Sequence, residues 1–112
     1  MSWYPFDNGK SIGLYGSESG SIVRDEEHGD GVRITLERGG YTAPFSITCG
    51  IYGWMVHTRF FGTESEAQGE FESMRAELSK IIGAIPFAAD PEDDSKTEAV
   101  VEEISEFVRR FP

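Results

Sequence analysis

Cysteine, basic residues and long apolar runs are scarce in this sequence. Cys49 is the only cysteine in 112 residues, which excludes an internal disulfide and fits a reducing compartment. No window approaches the roughly 18 apolar residues that a membrane span requires. Residues 1–10 also lack the basic start and apolar stretch of a signal peptide. We therefore expect a cytoplasmic protein that has no membrane partner.

Basic residues are outnumbered two to one, because the chain has 20 acidic and 10 basic residues and a formal net charge of −10. Thirteen of the acids, against five bases, lie from Thr63 onward. Nucleic acid is an unsuitable partner, since its phosphates would be repelled by most of this surface. A basic protein, in contrast, would be attracted to it.

Motifs for cofactors, metals and nucleophilic catalysis are also missing. The segment Asn8–Ser11 contains Gly-Lys-Ser, but Tyr4 occupies the place of the first glycine of a phosphate-binding loop. There is no cysteine pair and no histidine pair at helical spacing, and the acidic stretches 25–30 and 90–94 are typical of solvated turns. Cys49 falls on an apolar strand face, where its thiol would be buried and inert. We expect no cofactor and no metal.

A strand, a corner and a helix over residues 54–83 form the clearest pattern in the chain. Thr63 and Glu66 have the spacing of a capping box, and Gly83 and Pro86 are typical of a helix end. The pattern predicts a helix over residues 63–83. Its apolar residues recur at steps of three and four and form one buried stripe, made of Ala67, Phe71, Met74, Leu78, Ile81 and Ile82.

Residues 1–61 read as an aromatic N-terminal arm, 1–20, followed by an antiparallel sheet, 21–61. Within the arm, Ile12–Tyr15 is a candidate short strand; Ser21–Asp25 is another, and residues 26–31 read as a polar loop. Residues 32–38 alternate between apolar and polar side chains, and Gly39-Gly40 predicts a two-residue hairpin turn. Such a turn would pair Ile34 with Phe45.

A second turn is predicted at Tyr52-Gly53, with Ile51 opposite Trp54. This register sets Cys49 against Val56 and Phe45 against Phe60, so that these apolar residues share the inner face. Two ideal two-residue turns cannot both occur, because alternate residues of a middle strand direct their backbone groups to opposite neighbours. One turn must be longer or one strand must bulge, and we expect the second turn to be the irregular one.

The C-terminal part reads as an acidic connector, 84–94, and a second amphipathic helix, 95–111. The apolar residues of that helix are Val100, Val101, Ile104, Phe107, Val108 and Phe111. Each layer needs the other to cover its apolar side. We therefore predict one α+β domain over residues 1–112, in which an antiparallel β-meander of about four to five strands is covered on one face by two C-terminal α-helices.

Polar residues on the predicted outer face of the sheet form the main candidate site. The registers above place Arg33, Ser46 and Arg59 in one row, with Thr48 beside His57. Arginine and hydroxyl groups suit a carboxylate or phosphate, and a histidine can titrate near neutral pH. An ordinary solvated sheet face is the alternative interpretation. If the face is instead a subunit interface, its apolar residues would be Tyr41, Met55 and Phe61.

Three functions are consistent with these patterns. We favour a non-enzymatic binding protein that engages a basic protein partner, a build known among toxin-neutralising immunity proteins and inhibitors, on the grounds of size and charge alone. The second is an enzyme or small-ligand domain that binds an anion through the outer face. The third is a homodimer joined across that face or through its edge strands.

Overall fold

The structure, a computed structural model, describes residues 2–29, 31–84 and 94–112. The strands of its antiparallel sheet are adjacent in chain order: β1 (Tyr4–Pro5), β2 (Ser21–His28), β3 (Val32–Arg38), β4 (Phe45–Ile51) and β5 (Met55–Phe61). Two helices follow, α1 (Glu64–Ala84) and α2 (Asp94–Arg110). The prediction of an α+β fold, with a β-meander and two C-terminal helices packed on the sheet, is confirmed.

The N-terminal region differs from the prediction in two ways. The residues from Ile12 to Tyr15 do not form a strand, and only Tyr15 makes an isolated bridge, to Ser21. The strand predicted to stop at Asp25 continues to His28 and pairs with β3 from Ser21 to His28, with one register shift between Ile22 and Arg24. Its charged residues gave it the composition of a loop, but they have partners on both faces of the sheet.

Helix α1 forms as the apolar spacing predicts. The backbone N–H of Glu66 donates to the Thr63 hydroxyl at 3.3 Å, which caps the first turn. The whole predicted stripe is buried, and Phe71, Met74 and Leu78 have no exposed surface. Helix α1 therefore covers the hydrophobic core on the inner face of β3, β4 and β5.

Helix α2 buries only part of its predicted stripe. Val100, Phe107 and the following Phe111 belong to the core, whereas Val101 and Val108 are 51% and 37% exposed. The predicted connector lies, over residues 85–93, outside the described residues. Helix α2 thus covers the side of the core near β5 and leaves Val101 and Val108 partly exposed to solvent.

The register of β3 and β4 differs from the prediction by four residues. Ile34 pairs with Cys49 rather than with Phe45, because six residues, 39–44, connect the strands. The loop is closed by a hydrogen bond from Gly39 N to Pro44 O at 2.8 Å, and of its two glycines only Gly39 has a positive φ. A two-residue type I′ turn would need a positive φ at both glycines. A shift of four residues preserves the faces, so Ile34 and Cys49 still point into the core.

The register of β4 and β5 differs by one residue, and this difference reverses β5. Ile51 pairs with Met55 rather than with Trp54, since the turn contains three residues and includes Gly53 at φ 80°. A one-residue shift moves every side chain of a strand to the opposite face. Val56 and Phe60 therefore point outward, 79% and 44% exposed. The prediction that the second turn is longer than two residues is correct, but the predicted faces of β5 are wrong.

Candidate functional site

The outer face of the sheet, on the side away from the helices, consists of three cross-strand rows. The first runs through Glu27, Arg33, Gly50 and Val56; the second through Asp25, Thr35, Thr48 and Thr58; the third through Ile22, Glu37, Ser46 and Phe60. Of the predicted ligand-binding set, only Arg33, Ser46 and Thr48 lie on this face, and they occupy three different rows.

Arg33 is bound to a buried carboxylate. Its Nε and Nη2 donate to the two carboxylate oxygens of Asp25 at 2.9 and 2.6 Å, while the Thr35 hydroxyl donates to one of the same oxygens at 2.9 Å. The guanidinium also stacks on the Phe6 ring, 3.5 Å from its centroid. The Asp25 hydrogen bond is the main reason that the pKa of Arg33 is raised above its ordinary value. This arginine is a poor receptor for a free anion, because its charge is already neutralised.

A second buried carboxylate holds the N-terminal arm on the same face. Glu37 is 1% exposed, and its Oε1 accepts hydrogen bonds from the backbone N–H groups of Glu18 and Gly20 at 3.1 and 3.0 Å. A Cβ at Gly16 would lie 2.4 Å from the carboxylate carbon of Glu37, so the close approach of the arm requires glycine there. Glu37 therefore has a structural role.

The other two members of the predicted set, His57 and Arg59, lie on the inner face of β5. The Nε2 of His57 is 2.5 Å from the carbonyl oxygen of Phe111, and the ring makes an edge contact with Phe107. Arg59 donates to the carbonyl of Pro112 at 3.2 Å and to Glu70 at 3.3 Å. The prediction that these two residues join Arg33 is wrong, since the one-residue register difference places them on the helix-covered face of the sheet, where they bind the two residues that follow α2.

The predicted interface residues are also separated from one another. Phe61 is 5% exposed and belongs to the core, and Met55 is half-buried against it. Tyr41 is 93% exposed, in the loop between β3 and β4. Met55 and Phe61 are directed inward for the same reason as His57. They do not form an apolar centre on the outer face, where Val56 and Phe60 take that position.

The lone cysteine is buried in the core, as predicted. Cys49 is 1% exposed, and burial raises the pKa of its thiol to about 12, although Arg59 lowers it in part. A thiol with so high a pKa is almost entirely protonated near neutral pH and is a poor nucleophile.

A groove crosses the outer face above the residues of these rows. It consists of two adjoining cavities, of about 560 and about 230 Å³, which share Arg33, Gly50 and Val56. Tyr52 and Trp54 border the larger cavity, and Ser17, Thr35 and Thr48 border the smaller. We call this feature the outer groove. Gly50 forms its floor, where the absence of a side chain leaves room between Arg33 and Val56.

The rim of the outer groove is apolar on one side and polar on the other. Tyr52 is 87% exposed, and Val56 is the most exposed residue of β5. On the polar side the hydroxyls of Thr48 and Thr58 lie 3.1 Å apart.

The sequence contains one signal for the ion pair of Asp25 and Arg33, a carboxylate eight residues before the arginine. The expectation of a loop over residues 26–31 concealed that β2 and β3 pair along these residues.

Among the residues that the structure describes, no group of three or more His, Cys, Asp or Glu side chains is arranged to hold a metal ion. None of the helices has a stretch apolar and long enough for a membrane crossing within the same residues.

Comparison with known proteins gives no relative from which a function could be transferred. No protein-family model, curated protein or solved structure matches the chain. The function must therefore be argued from the site itself.

Proposed function

We propose that this protein is a non-enzymatic binding module whose outer groove receives a basic, extended segment of a protein partner, in the manner of an immunity protein or inhibitor. The observation that carries this proposal is the state of the groove's ionisable groups. Of the charged side chains that line the groove, Arg33 is paired with the buried Asp25, and the buried Glu37 accepts backbone hydrogen bonds. What the groove offers to a partner is therefore shape, backbone and apolar rim, not a reactive group.

An anionic ligand is a weaker alternative. The sequence predicts that two arginines would bind the anion together. Arg33 and Arg59 instead lie on opposite faces of the sheet, and each is bonded to a carboxylate. In the outer-face rows Arg33 and Asp25 neutralise each other, and the other charged side chains, Glu27 and Glu37, are both acidic. An anion would be repelled by this arrangement, whereas a cationic segment would be attracted.

The whole chain reinforces that preference, because its net charge of −10 steers basic proteins toward it at low ionic strength. The apolar rim then supplies the short-range contact. Exposed tyrosine and valine beside a glycine floor suit an extended peptide, since an aromatic side chain gives a large contact area at a low entropy cost.

A random-peptide phage library, panned against the purified protein at low ionic strength, tests the proposal. We expect the selected peptides to be rich in Lys and Arg and to bind more weakly as salt is added. Gly50→Val should abolish their binding by filling the groove. A Cβ at Gly50 would lie 3.5 Å from the Met55 carbonyl oxygen and 3.8 Å from Val56, both ordinary contact distances, so the fold should tolerate the change.

A matched control separates groove filling from general damage. Gly50→Ala should weaken peptide binding while raising the free energy of unfolding by about 0.5–1 kcal/mol, since a strand glycine is entropically costly. Gly69→Ala makes the same change on the exposed side of α1, where nothing lies within 4 Å, and should leave binding unaltered. Selection of acidic peptides, or equal binding by the Gly50→Val variant, would refute the proposed function.

A further inference from the structure

The two edges of the sheet differ in whether another strand covers their backbone groups. The edge at β2 is covered by β1, a strand of two residues that includes Pro5, and by the bridge from Tyr15 to Ser21. A short strand that contains proline is a common protection against pairing with another chain, because proline has no N–H to donate. The edge at β5 has no such cover: across residues 2–29, 31–84 and 94–112, no strand pairs with its outer side.

The exposed backbone groups of β5 can be assigned from the turns. Ile51 O accepts from Trp54 N, so Ile51 faces β5, and Tyr52 N donates to Gly31 O, so Tyr52 faces β3. Because this direction alternates along a strand, the β5 residues opposite Gly50, Thr48 and Ser46 direct their N–H and C=O groups away from β4. These residues are Val56, Thr58 and Phe60.

The β5 edge also lacks the usual features that prevent association. It pairs with β4 over seven residues without a register shift and contains neither proline nor lysine. Its charged side chain, Arg59, is 10% exposed and turns inward to Glu70 rather than along the edge. A long, regular edge with an apolar outer side is what monomeric proteins usually avoid.

Charge distinguishes this edge from most of the molecule. None of the chain's 20 acidic residues lies between Glu37 and Glu64, so β4 and β5 carry no carboxylate. Two copies with a net charge of −10 repel each other over most of their surfaces. At this edge that repulsion is weakest, and the apolar outer side of β5 can be buried there.

Helix α2 adds apolar surface beside the same edge. Arg110 pairs with Glu77 of α1, so that flank of α2 faces α1. Val101 is nine residues from Arg110, and at about 100° per residue it lies roughly half a turn away, on the opposite flank. Phe107 contacts His57 of β5, so this opposite flank, with Val101 and Val108, points past β5 toward the open edge.

We propose that β5 pairs antiparallel with β5 of a second copy of this chain and thereby forms a two-fold symmetric dimer with a continuous sheet. The register that the residues favour places Thr58 on the two-fold axis. Each Val56 then lies opposite Phe60 of the other copy, and Thr58 lies opposite Thr58. This register places apolar side chains opposite apolar ones and a hydroxyl opposite a hydroxyl. It also makes hydrogen-bonded pairs of the three residues whose backbone groups point away from β4.

Sedimentation equilibrium of the purified chain is the first test. We expect a mass of about 25 kDa, twice the 12.5 kDa of the chain, and a mass near that of one chain for Thr58→Pro. That substitution removes an N–H that points away from β4, so the β4–β5 hydrogen bonds remain. Thr58→Val retains the N–H and should stay dimeric. Phe60→Lys, which places a charge opposite Val56, is the second disrupting variant should Thr58→Pro fail to fold.

A wild-type protein that sediments as a single chain at every concentration up to its solubility limit would overturn the proposal. So would a dimer that persists in both Thr58→Pro and Phe60→Lys while circular dichroism shows both to be folded. Val56 belongs to both surfaces, but the two proposals can still be told apart, because Gly50→Val should remain dimeric and Thr58→Pro should still bind the selected peptides.

Oxidative cross-linking tests the register. Cα atoms of a hydrogen-bonded antiparallel pair are about 5.5 Å apart, within the range that a disulfide spans. Thr58→Cys should therefore give a linked dimer on a non-reducing gel. Thr48→Cys is the matched control, because it lies in the same row one strand further in, and three strand spacings of about 4.8 Å put its two copies roughly 14 Å apart. Equal cross-linking of both variants, or none at Thr58→Cys, would rule out this pairing.

Discussion

Removing Arg33 should destabilise the protein more than neutralising its partner, Asp25. The side chain of Arg33 is 42% exposed, whereas that of Asp25 has no exposed surface. Arg33→Met therefore leaves a buried carboxylate to which, among the residues that the structure describes, only the Thr35 hydroxyl donates from a side chain. Stranding a buried charge in this way costs about 3–5 kcal/mol. Asp25→Asn instead leaves a guanidinium that reaches water, and the lost charged hydrogen bonds cost about 1.5–3 kcal/mol.

These values are large for a chain of this size. A domain of 112 residues has a free energy of unfolding of about 6–17 kcal/mol at the usual contribution per residue. Urea unfolding, followed through the fluorescence of Trp3 and Trp54, measures both variants on the same scale. The double variant Arg33→Met/Asp25→Asn should recover part of the loss of Arg33→Met, since no charge then remains buried.

Two results would refute this reasoning. If Asp25→Asn is at least as destabilising as Arg33→Met, the exposure difference does not govern the cost. If the double variant is no more stable than Arg33→Met, the loss arises from the Phe6 contact of the guanidinium and not from the stranded carboxylate. Thr35→Val is a suitable control because it removes one hydrogen bond to Asp25 and retains the ion pair.

Two further predictions concern the inner face. Burial raises the pKa of Cys49 from 9.0 to about 12, so the folded state retains the thiol proton more strongly than the unfolded state, and this stabilising contribution is lost as the pH rises from about 9 to about 12. The free energy of unfolding of the wild type should therefore fall relative to that of Cys49→Ala across this pH range, and a constant difference would contradict the shift. His57→Ala should cost about 1–3 kcal/mol and speed amide exchange in residues 107–111, because it removes the bond to the Phe111 carbonyl. Val56→Ala, on the outer face, should cost less than about 0.5 kcal/mol at a protein concentration at which the chain is a monomer, and the reverse order would support the register expected from the sequence.

The helices and the buried face of the first hairpin were predictable because their periodicity is unambiguous, whereas the turn and the register of that hairpin were not. The apolar residues from Ala67 to Ile82 fall on a single face of a helix. The alternation around Ile34 gives the strand one apolar face, and a register shift by an even number of residues leaves that face buried. For β5 the pattern has no such preference, because Met55 and Phe61 on one side are as apolar as Val56 and Phe60 on the other. The length of the turn decides between them, and a glycine-containing turn accommodates two or three residues.

The outer face was not predictable for a different reason. Its charged residues have partners that are distant in the sequence, such as Glu37 with the backbone of Glu18, or that lie on a strand which resembles a loop, such as Asp25. The residue type alone does not show whether a glutamate is exposed to water or is buried and accepts backbone hydrogen bonds. For Glu37 the difference depends on the approach of the N-terminal arm, which composition does not encode.

The N-terminal arm grips the sheet on both sides, with Trp3 bonded to Ser79 of α1 and Phe6 stacked on Arg33. During synthesis the arm leaves the ribosome before any of the groups that hold it. The bond of Trp3 to Ser79 can form only after α1 has been made and packed, whereas the contacts of Phe6, Glu18 and Gly20 require only β3. A change in residues 16–20 that prevents this part of the arm from docking would leave the buried Glu37 carboxylate without its backbone donors, whether or not Trp3 has reached α1.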